Sequence, residues 1–586
     1  MRNRFVFMCL LAILGLGNAL ANAAAPVRPA AALVPAQAIL VVQIRHPETI
    51  ARQLLSDRVV KTVKNLPFYD QVMNHKDTKQ ALKLIEYFET KHSADVPKLI
   101  EALTGGGITF AVGPKGEILL IVDAKDKAFL NEVHDFFKMV ISEKAAAQGD
   151  AGRVASADYR GVTGWKFGPN EVHAIIGSRL LMSNKPEVLK AVLDLRAAGS
   201  GGIADNKAYQ HAVQAAGKDA LVVAYANMEV LKQVPGIQSA LNSKGNPLGT
   251  LLFAPLQTAL GTATWASASV CLPKDAIQIK LATDGVPDAV DSPRGFASFE
   301  KPDAGALPNL VVPHRIAAFS FYRDLHKFYA AKDELFPERT SGLIFFENMM
   351  GIFFTGRDLT EEVLAETLPY VRVVVAQQHF SDKTGIPAVQ FPGFALVMRL
   401  RDRKKFAPVV EEAWQKAIGL VNFTRGQKAL PGLIIDRPEY HGNKYTMAYF
   451  SAADEPDATH ADARFNFQPS LAFEGDYLIL SSTRQLTEGL IDALRKEAQQ
   501  QVKPVAEKHT IGVVDGVNLA SILAANRAAL VRQNMVEDGN SRAQAEKQID
   551  ILLELVRHLR DFTIEAGFAH GRSQSTLKLS YILGNK

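Results

Sequence analysis

Cysteine is almost missing from this chain of 586 residues, with only Cys9 and Cys271 present. Cys9 sits in an N-terminal apolar stretch, so the body of the chain has no second thiol and no intrachain disulfide framework. An excess of one charge is missing as well. Lys and Arg number 66 against 61 Asp and Glu, a formal +5, which is too small to draw in nucleic acid through a global field. Beyond the N-terminus no run approaches about 18 consecutive apolar residues, so no further membrane span is expected. Signature motifs of chemistry are absent too: no Gly-x-Ser-x-Gly elbow, no His-Glu-x-x-His, and no calcium loop with alternating acids.

The N-terminus carries the pattern of a secretory signal. Arg2 and Arg4 precede an apolar stretch from Phe5 to Leu16, and Ala21-Asn22-Ala23 supplies small residues for cleavage before Ala24. The expectation is a signal peptide over 1–23 and a periplasmic or extracellular mature chain. Retention of the segment as an anchor is the alternative. Cys9 lies within the apolar stretch, upstream of where a lipidated cysteine would stand.

The remainder repeats itself once. Val34-Pro35 leads into a strand at Ala38–Arg45, and Val312-Pro313 leads into another at Ile316–Arg323. Ile118–Val122 is matched by Phe394–Met398, each running into a charged turn and a helix. Tyr159-Arg160-Gly161 is matched by Tyr440-His441-Gly442, where the glycine supplies positive φ for a hairpin turn. Ala174–Asn184 is matched by Ala472–Ser482: strand, Gly-Ser or Gly-Asp turn, strand, then a polar stop before helices expected over 187–195 and 486–495. Ala220–Tyr225 answers Thr510–Asp515. The closing strand pairs, 262–282 and 562–581, complete six correspondences in one order. In the last pair Leu577, Leu579 and Tyr581 alternate with Lys578 and Ser580, which predicts one wet face.

The expected class is α+β: two tandem copies of a module with mostly antiparallel sheets and packed helices. The first module spans 30–283 and the second 309–586. Pro, Gly, Asp and Ser dominate 284–308, which reads as a linker. The Val-Pro strand, the Tyr-x-Gly turn and the Gly-Ser/Asp hairpin resemble a family of exported bacterial proteins catalogued only as a domain of unknown function. The resemblance implies an envelope or extracellular location and brings no catalytic residue with it.

Isolated coincidences have plainer readings. Ser298-Phe299-Glu300-Lys301 and Lys383-Thr384-Gly385 match two motifs of penicillin-interacting enzymes, but that serine must open a buried helix and this one stands in the Pro/Gly-rich stretch. Cys271 has no neighbouring histidine. His441, His460, Asp454 and Asp457 read as solvated loop around a polar insertion at 451–468. Gly105-Gly106-Gly107 precedes a strand and offers no helix N-terminus to an anion. Glu361, Glu362 and Glu366 suit the first turn of a helix. Arg399, Arg401 and Arg403, at period two, would share one strand face, with Lys404 and Lys405 extending the stripe. A charged strand end in water is its ordinary reading and a ligand-facing stripe the alternative. A helix over 527–560 is expected to turn Ile549, Leu552, Leu553, Val556 and Leu559 to its core.

No catalytic, cofactor-binding or metal-ligating residue stands out, and no cofactor is expected. The leading expectation is a non-enzymatic exported protein that binds or scaffolds an envelope protein or ligand not identifiable from sequence. Nucleic acid is not an expected partner, and no transmembrane span follows signal removal. The alternative is a periplasmic hydrolase of unfamiliar type, using scattered Asp, Glu and His.

Overall fold

The computed structural model describes residues 28–64, 69, 73–149, 153–168, 170–241, 246–337, 341–380, 385–451 and 461–582. The expected signal segment 1–23, Lys383-Thr384, and Asp454, Asp457 and His460 lie outside the described residues. The chain is α+β and divides into two compact units. The first holds residues up to Leu241 together with Leu260–Gly285, and the second holds Asn242–Ala259 together with Val286–Ile582.

The first unit has a sheet of strands β1 (Leu40–Ile44), β2 (Gly107–Val112), β3 (Ile118–Asp123), β4 (Ala155–Tyr159), β5 (Val162–Gly168), β6 (Glu171–Ile176), β7 (Arg179–Ser183), β8 (Val222–Asn227), β9 (Trp265–Cys271) and β10 (Ala276–Thr283). Their order across the sheet is β4-β5-β6-β7-β3-β2-β1-β8-β9-β10, antiparallel at each step. The second unit has β11 (Arg315–Tyr322), β12 (Thr367–Ala376), β13 (Gly393–Leu400), β14 (Ile434–Asp436), β15 (Thr446–Tyr449), β16 (Ser470–Glu474), β17 (Tyr477–Ser481), β18 (Lys508–Asp515), β19 (Leu559–Ala569) and β20 (Arg572–Tyr581). Its order is β14-β15-β16-β17-β13-β12-β11-β18-β19-β20, again antiparallel throughout. Strand for strand, the two orders are the same.

Helices follow corresponding strands. Helix α1 (Lys127–Ala147) follows β3, α2 (Pro186–Ala198) follows β7, and α3 (Lys207–Ala216) precedes β8. In the second unit α4 (Arg403–Gly426) follows β13 and α5 (Arg484–Gln500) follows β17. Asp126 and Asp402 cap α1 and α4 by accepting from the Phe129 and Lys405 amides at 3.0 and 3.1 Å. Each cap satisfies an amide that the first turn leaves unbonded. The cap of α5 is Thr483, one residue past the expected Ser-Ser stop. Helix α2 starts instead on Pro186, whose missing N–H costs nothing at that position.

The cores follow from alternation along the strands. In the first unit Val41, Ala111, Ile121, Leu181, Tyr225 and Trp265 meet Val188, Leu189 and Val192 of α2 and Ala212 of α3. In the second, Ala318, Val374, Val397 and Ile479 meet Leu486, Leu490 and Leu494 of α5.

Two expectations change. The stretch 284–308 is not a loose linker, because from Val286 onward it belongs to the second unit. Phe296, with no exposed surface, packs there with Tyr329, Leu335 and Phe336. Its proline and glycine content marks irregular backbone, and the few apolar residues within it are what anchor it. The expected helix at 527–560 is two helices, Arg527–Glu537 and Arg542–Arg557. Gly539 breaks it at φ +66°, and Ser541 with Gln544 forms a capping box that restarts it. Ile549 and Leu553 reach the core there, while Leu552 points outward.

Candidate ligand-binding faces

In each sheet the residues alternating with those of the core form a second face, one end of which packs on α1 in the first unit and on α4 in the second. In the first unit these are Leu40 and Val42 on β1, Phe110 and Val112 on β2, Val222, Ala224 and Ala226 on β8, Ala266, Ala268 and Val270 on β9, and Ile279 and Leu281 on β10. All are partly exposed and none has a polar side chain. The side of this face that includes Ile108, Leu120 and Val122 is buried.

The second unit repeats the arrangement with larger groups. Phe319 and Phe321 on β11, Val373 and Val375 on β12, Leu396 on β13, Phe562 and Ile564 on β19, and Leu577 on β20 are partly exposed, while Met398 on β13 packs with Phe406 and Val410 of α4. Phe394 and Leu579 are open, at 55% and 39% exposure. The expected wet face of β20 does not hold at two positions: Ser580 is fully buried, donating to Asp561 at 2.9 Å, while Leu579 is exposed. A buried hydroxyl with a carboxylate partner is stable inside. The exposed leucine is the feature that needs a reason.

A cleft of about 360 Å³ lies in the second unit between the Val312-Pro313-His314 lead into β11 and helix α5. Its two carboxylates are already engaged. Glu488 accepts from the Tyr445 hydroxyl and Arg484, both at 2.8 Å. Asp492 accepts from the Tyr440 hydroxyl at 2.8 Å and pairs with His441 Nδ1 at 3.2 Å, and that bond raises the Tyr440 phenol above its ordinary range. The first unit has the same device. The Tyr159 hydroxyl donates to Asp194 at 3.0 Å, with Arg160 on the same carboxylate at 2.5 Å. Both turns place their second and third residues at positive φ, Arg160-Gly161 at +50° and +71° and His441-Gly442 at +50° and +78°.

Three buried polar groups were not singled out by the sequence. In the first unit His173 Nδ1 meets Glu171 at 2.6 Å, and its Nε2 meets His134 Nε2 at 2.9 Å. Phe167 and Trp165 crowd the pair. Burial, then the neighbouring His173, lowers the His134 pKa. The Glu-x-His spacing on one strand face was the available signal. In the second unit Arg323 is 1% exposed and donates to the carbonyls of Leu251, Leu252, Tyr322 and His509 and to the Thr510 hydroxyl at 2.8–3.2 Å. Pro255 stands inside the helix Pro247–Thr262 and has no N–H for the Leu251 carbonyl, which frees it for the guanidinium. Burial pulls Arg323 down to about 9, still charged at neutral pH. Arg372, also 1% exposed, holds Glu497 with Nη1 at 2.8 and 2.9 Å and lies against the Tyr477 ring. No local pattern announced either arginine.

The residues weighed from sequence are not gathered into a site. Ser298 donates to the Asp288 carbonyl at 2.7 Å. Cys271 packs with Ala216, Ala220 and Val223. Glu361 and Glu362 lie in the first turn of a short helical segment, Leu359–Val363, capped by Asp358, and Glu366 pairs with Lys405. Gly107 takes φ +109° leading into β2. The basic stripe does not form, because β13 ends at Leu400 and Arg403 opens α4. Arg401 and Arg403 donate to the carbonyls of Ala365 and Gly475 at 2.9 and 3.1 Å. Arg399 lies between the Tyr370 and Tyr477 rings. Of the 451–468 stretch, Asn466 is buried and ties down Val389 and Phe391. Among the described residues no cluster of three His, Cys, Asp or Glu is arranged to hold a metal ion, and no helix is long and apolar enough to cross a membrane.

No known protein-family model matches the chain, and no curated protein sequence matches it. Among solved structures, crystal form I of TP0453 aligns with 43% of this chain and 77% of its own, at 10% identity and a TM-score of 0.23. Crystal form III aligns with 46% and 84%, also at 10% identity and 0.23. Superposition this loose carries no argument about fold or role.

Proposed function

We propose that this chain is an exported, non-enzymatic binding protein of the cell envelope. It uses one module twice, and it holds aliphatic chains, such as the acyl chains of lipids, against the partly exposed apolar sheet face of the first unit. The observation that carries this reading is that face: twelve apolar strand positions over five strands, partly exposed, with Thr283, on the same side opposite Ala266, buried and donating to the Trp265 carbonyl. Exposed apolar surface of this continuity marks a binding surface. Protein-binding surfaces concentrate aromatic residues and arginine, whereas this face holds alanine, valine, leucine and isoleucine with a single phenylalanine. Each methylene laid against it contributes about 0.8 kcal/mol before ordering costs. Common strand order and the repeated Tyr–Asp bond support the duplication. The Arg2–Ala23 pattern supports export, and a mature mass beginning at Ala24 is the expected result, with intact Met1 the contrary one.

The test is titration of the mature protein with a fluorescent fatty-acid analogue. Saturable binding is expected, weakened at least about tenfold by Ala224→Glu, which puts a charge in the middle of the face. Binding unaffected by that substitution, in a variant that melts like wild type, would refute the assignment.

A further inference from the structure

We propose that the first unit carries a second, separate site, for a small ligand bearing an oxyanion, either a carboxylate or a phosphate. The site is a groove of about 400 Å³ where β1, β2, β3 and β7 end on the helix-covered side of the sheet. Its polar strand residues lie off the apolar face, since Gln43, Thr109, Asp123 and Arg179 share the parity of the core residues Val41, Ala111, Ile121 and Leu181, whereas Ile44 and Ile108, which also line it, have the other parity.

Three guanidinium groups, of Arg28, Arg45 and Arg179, line this groove against one carboxylate, Asp123. That carboxylate is spent. Arg179, 5% exposed, grips it through Nε and Nη2, the latter at 3.0 Å, and sends Nη2 also to the Arg28 carbonyl at 2.8 Å. Arg179 is thus a fixed wall, and Arg28 and Arg45 have no carboxylate partner among the described residues. Arg45 gives only Nη1, to the Gly217 carbonyl at 3.0 Å. The Arg28 guanidinium lies over Gly199, where a Cβ would come within 2.7 Å of its Nη2. Gly106 is equally constrained, its Cβ position being 2.7 Å from the Asp123 Cβ, so the glycine run makes the rim of the groove low.

The remaining lining is donor-rich. Gln43 uses its oxygen to accept from Tyr209 at 3.0 Å, which leaves the amide N–H groups for the groove. The Thr109 hydroxyl, on a residue 4% exposed, has no partner among the described residues. A groove with two guanidinium groups that hold no carboxylate, an amide donor and a hydroxyl on a buried residue is complementary to an acceptor with negative charge, and planar guanidinium groups match carboxylate and phosphate oxygens in pairs. Its volume fits a ligand about the size of a monosaccharide.

Calorimetric titration of the mature protein with glucose 6-phosphate, glucuronate and neutral glucose tests this. Binding of one of the charged sugars but not glucose is expected, and which one binds identifies the oxyanion. Arg28→Gln and Arg45→Gln should each weaken it about tenfold. Thr109→Val should weaken it less while keeping every charge. Melting curves like wild type would exclude misfolding as the cause. Equal binding of glucose, no binding of either charged sugar at millimolar concentration, or binding unchanged by both arginine substitutions would each overturn the proposal.

Discussion

The two units share a strand order and differ in what fills it. At the position on the central strands where the first unit has Thr109, paired with Gln43, the second has Arg372, paired with Ser320. Where the first unit pairs Asp123 with Arg179, the second sets Arg399 against Tyr477. After α2 the first unit adds α3, packed on its sheet through Tyr209 and Ala212, whereas the second goes from α5 to β18 with no helix between. Fold is therefore carried by the repeated parts: alternation, hairpin turns, aspartate caps and the tyrosine–aspartate bond. Polar specialisation sits at equivalent positions with different residues, as a shared frame with independent contents would have it.

Breaking the second unit's polar corner should have the largest effect. Glu497→Ala leaves Arg372 buried and unpaired, and loss of about 3–5 kcal/mol is expected. At the equivalent place in the first unit Thr109→Val should cost about 1 kcal/mol or less. Urea unfolding of both variants checks the contrast, and equal losses would erase it.

Acid comes next. The His134 pKa is lowered by burial and by His173. That of His509, in the second unit, is pushed down to about 3 by burial and then by Arg323. A histidine with a depressed folded value binds its proton more readily when unfolded, so stability is complete above about 6.5 and falls as pH drops below it. Between pH 7.5 and 5.5 His509 should cost up to about 1.4 kcal/mol, and His134 should add a loss in the same direction. His509→Asn should flatten the second unit's share of that slope and leave the first's. An unchanged slope would contradict the assignment.

Smaller still, Tyr159→Phe and Tyr440→Phe should each lose about 1 kcal/mol. Near-equal losses are expected, because both phenols give one hydrogen bond to an aspartate on the following helix. Smallest are Gly161→Ala and Gly442→Ala, about 1 kcal/mol or less each, from placing a Cβ at φ +71° and +78°. A loss at one turn only would mean the turns are not equivalent.

Much of the frame was legible because its signals are local. Tyr159-Arg160-Gly161 is a turn whatever surrounds it, and Ala174–Ile176 with Arg179–Ser183 is a hairpin by spacing alone. Failures came where long-range packing decides. Phe296 makes a packed element of a Pro/Gly-rich stretch, and Gly539 with the Ser541 cap splits a helix that periodicity carries through. The Arg399–Arg403 run was read at strand period, yet the chain leaves the strand at Leu400. Arg372 and Glu497 are 125 residues apart, and His173, though Glu171 stands two residues before it, meets His134 from another element, so neither cluster could be read whole along the chain. The partly exposed apolar face was invisible for a different reason: alternation says which residues share a side, not which side is covered.

Native mass spectrometry of the protein purified from the envelope, followed by solvent extraction, bears most directly on the proposed role. The account predicts a mature chain carrying an extractable aliphatic molecule, displaced by the fatty-acid analogue and lost in Ala224→Glu. A bare chain that takes up no such molecule when one is supplied would contradict it.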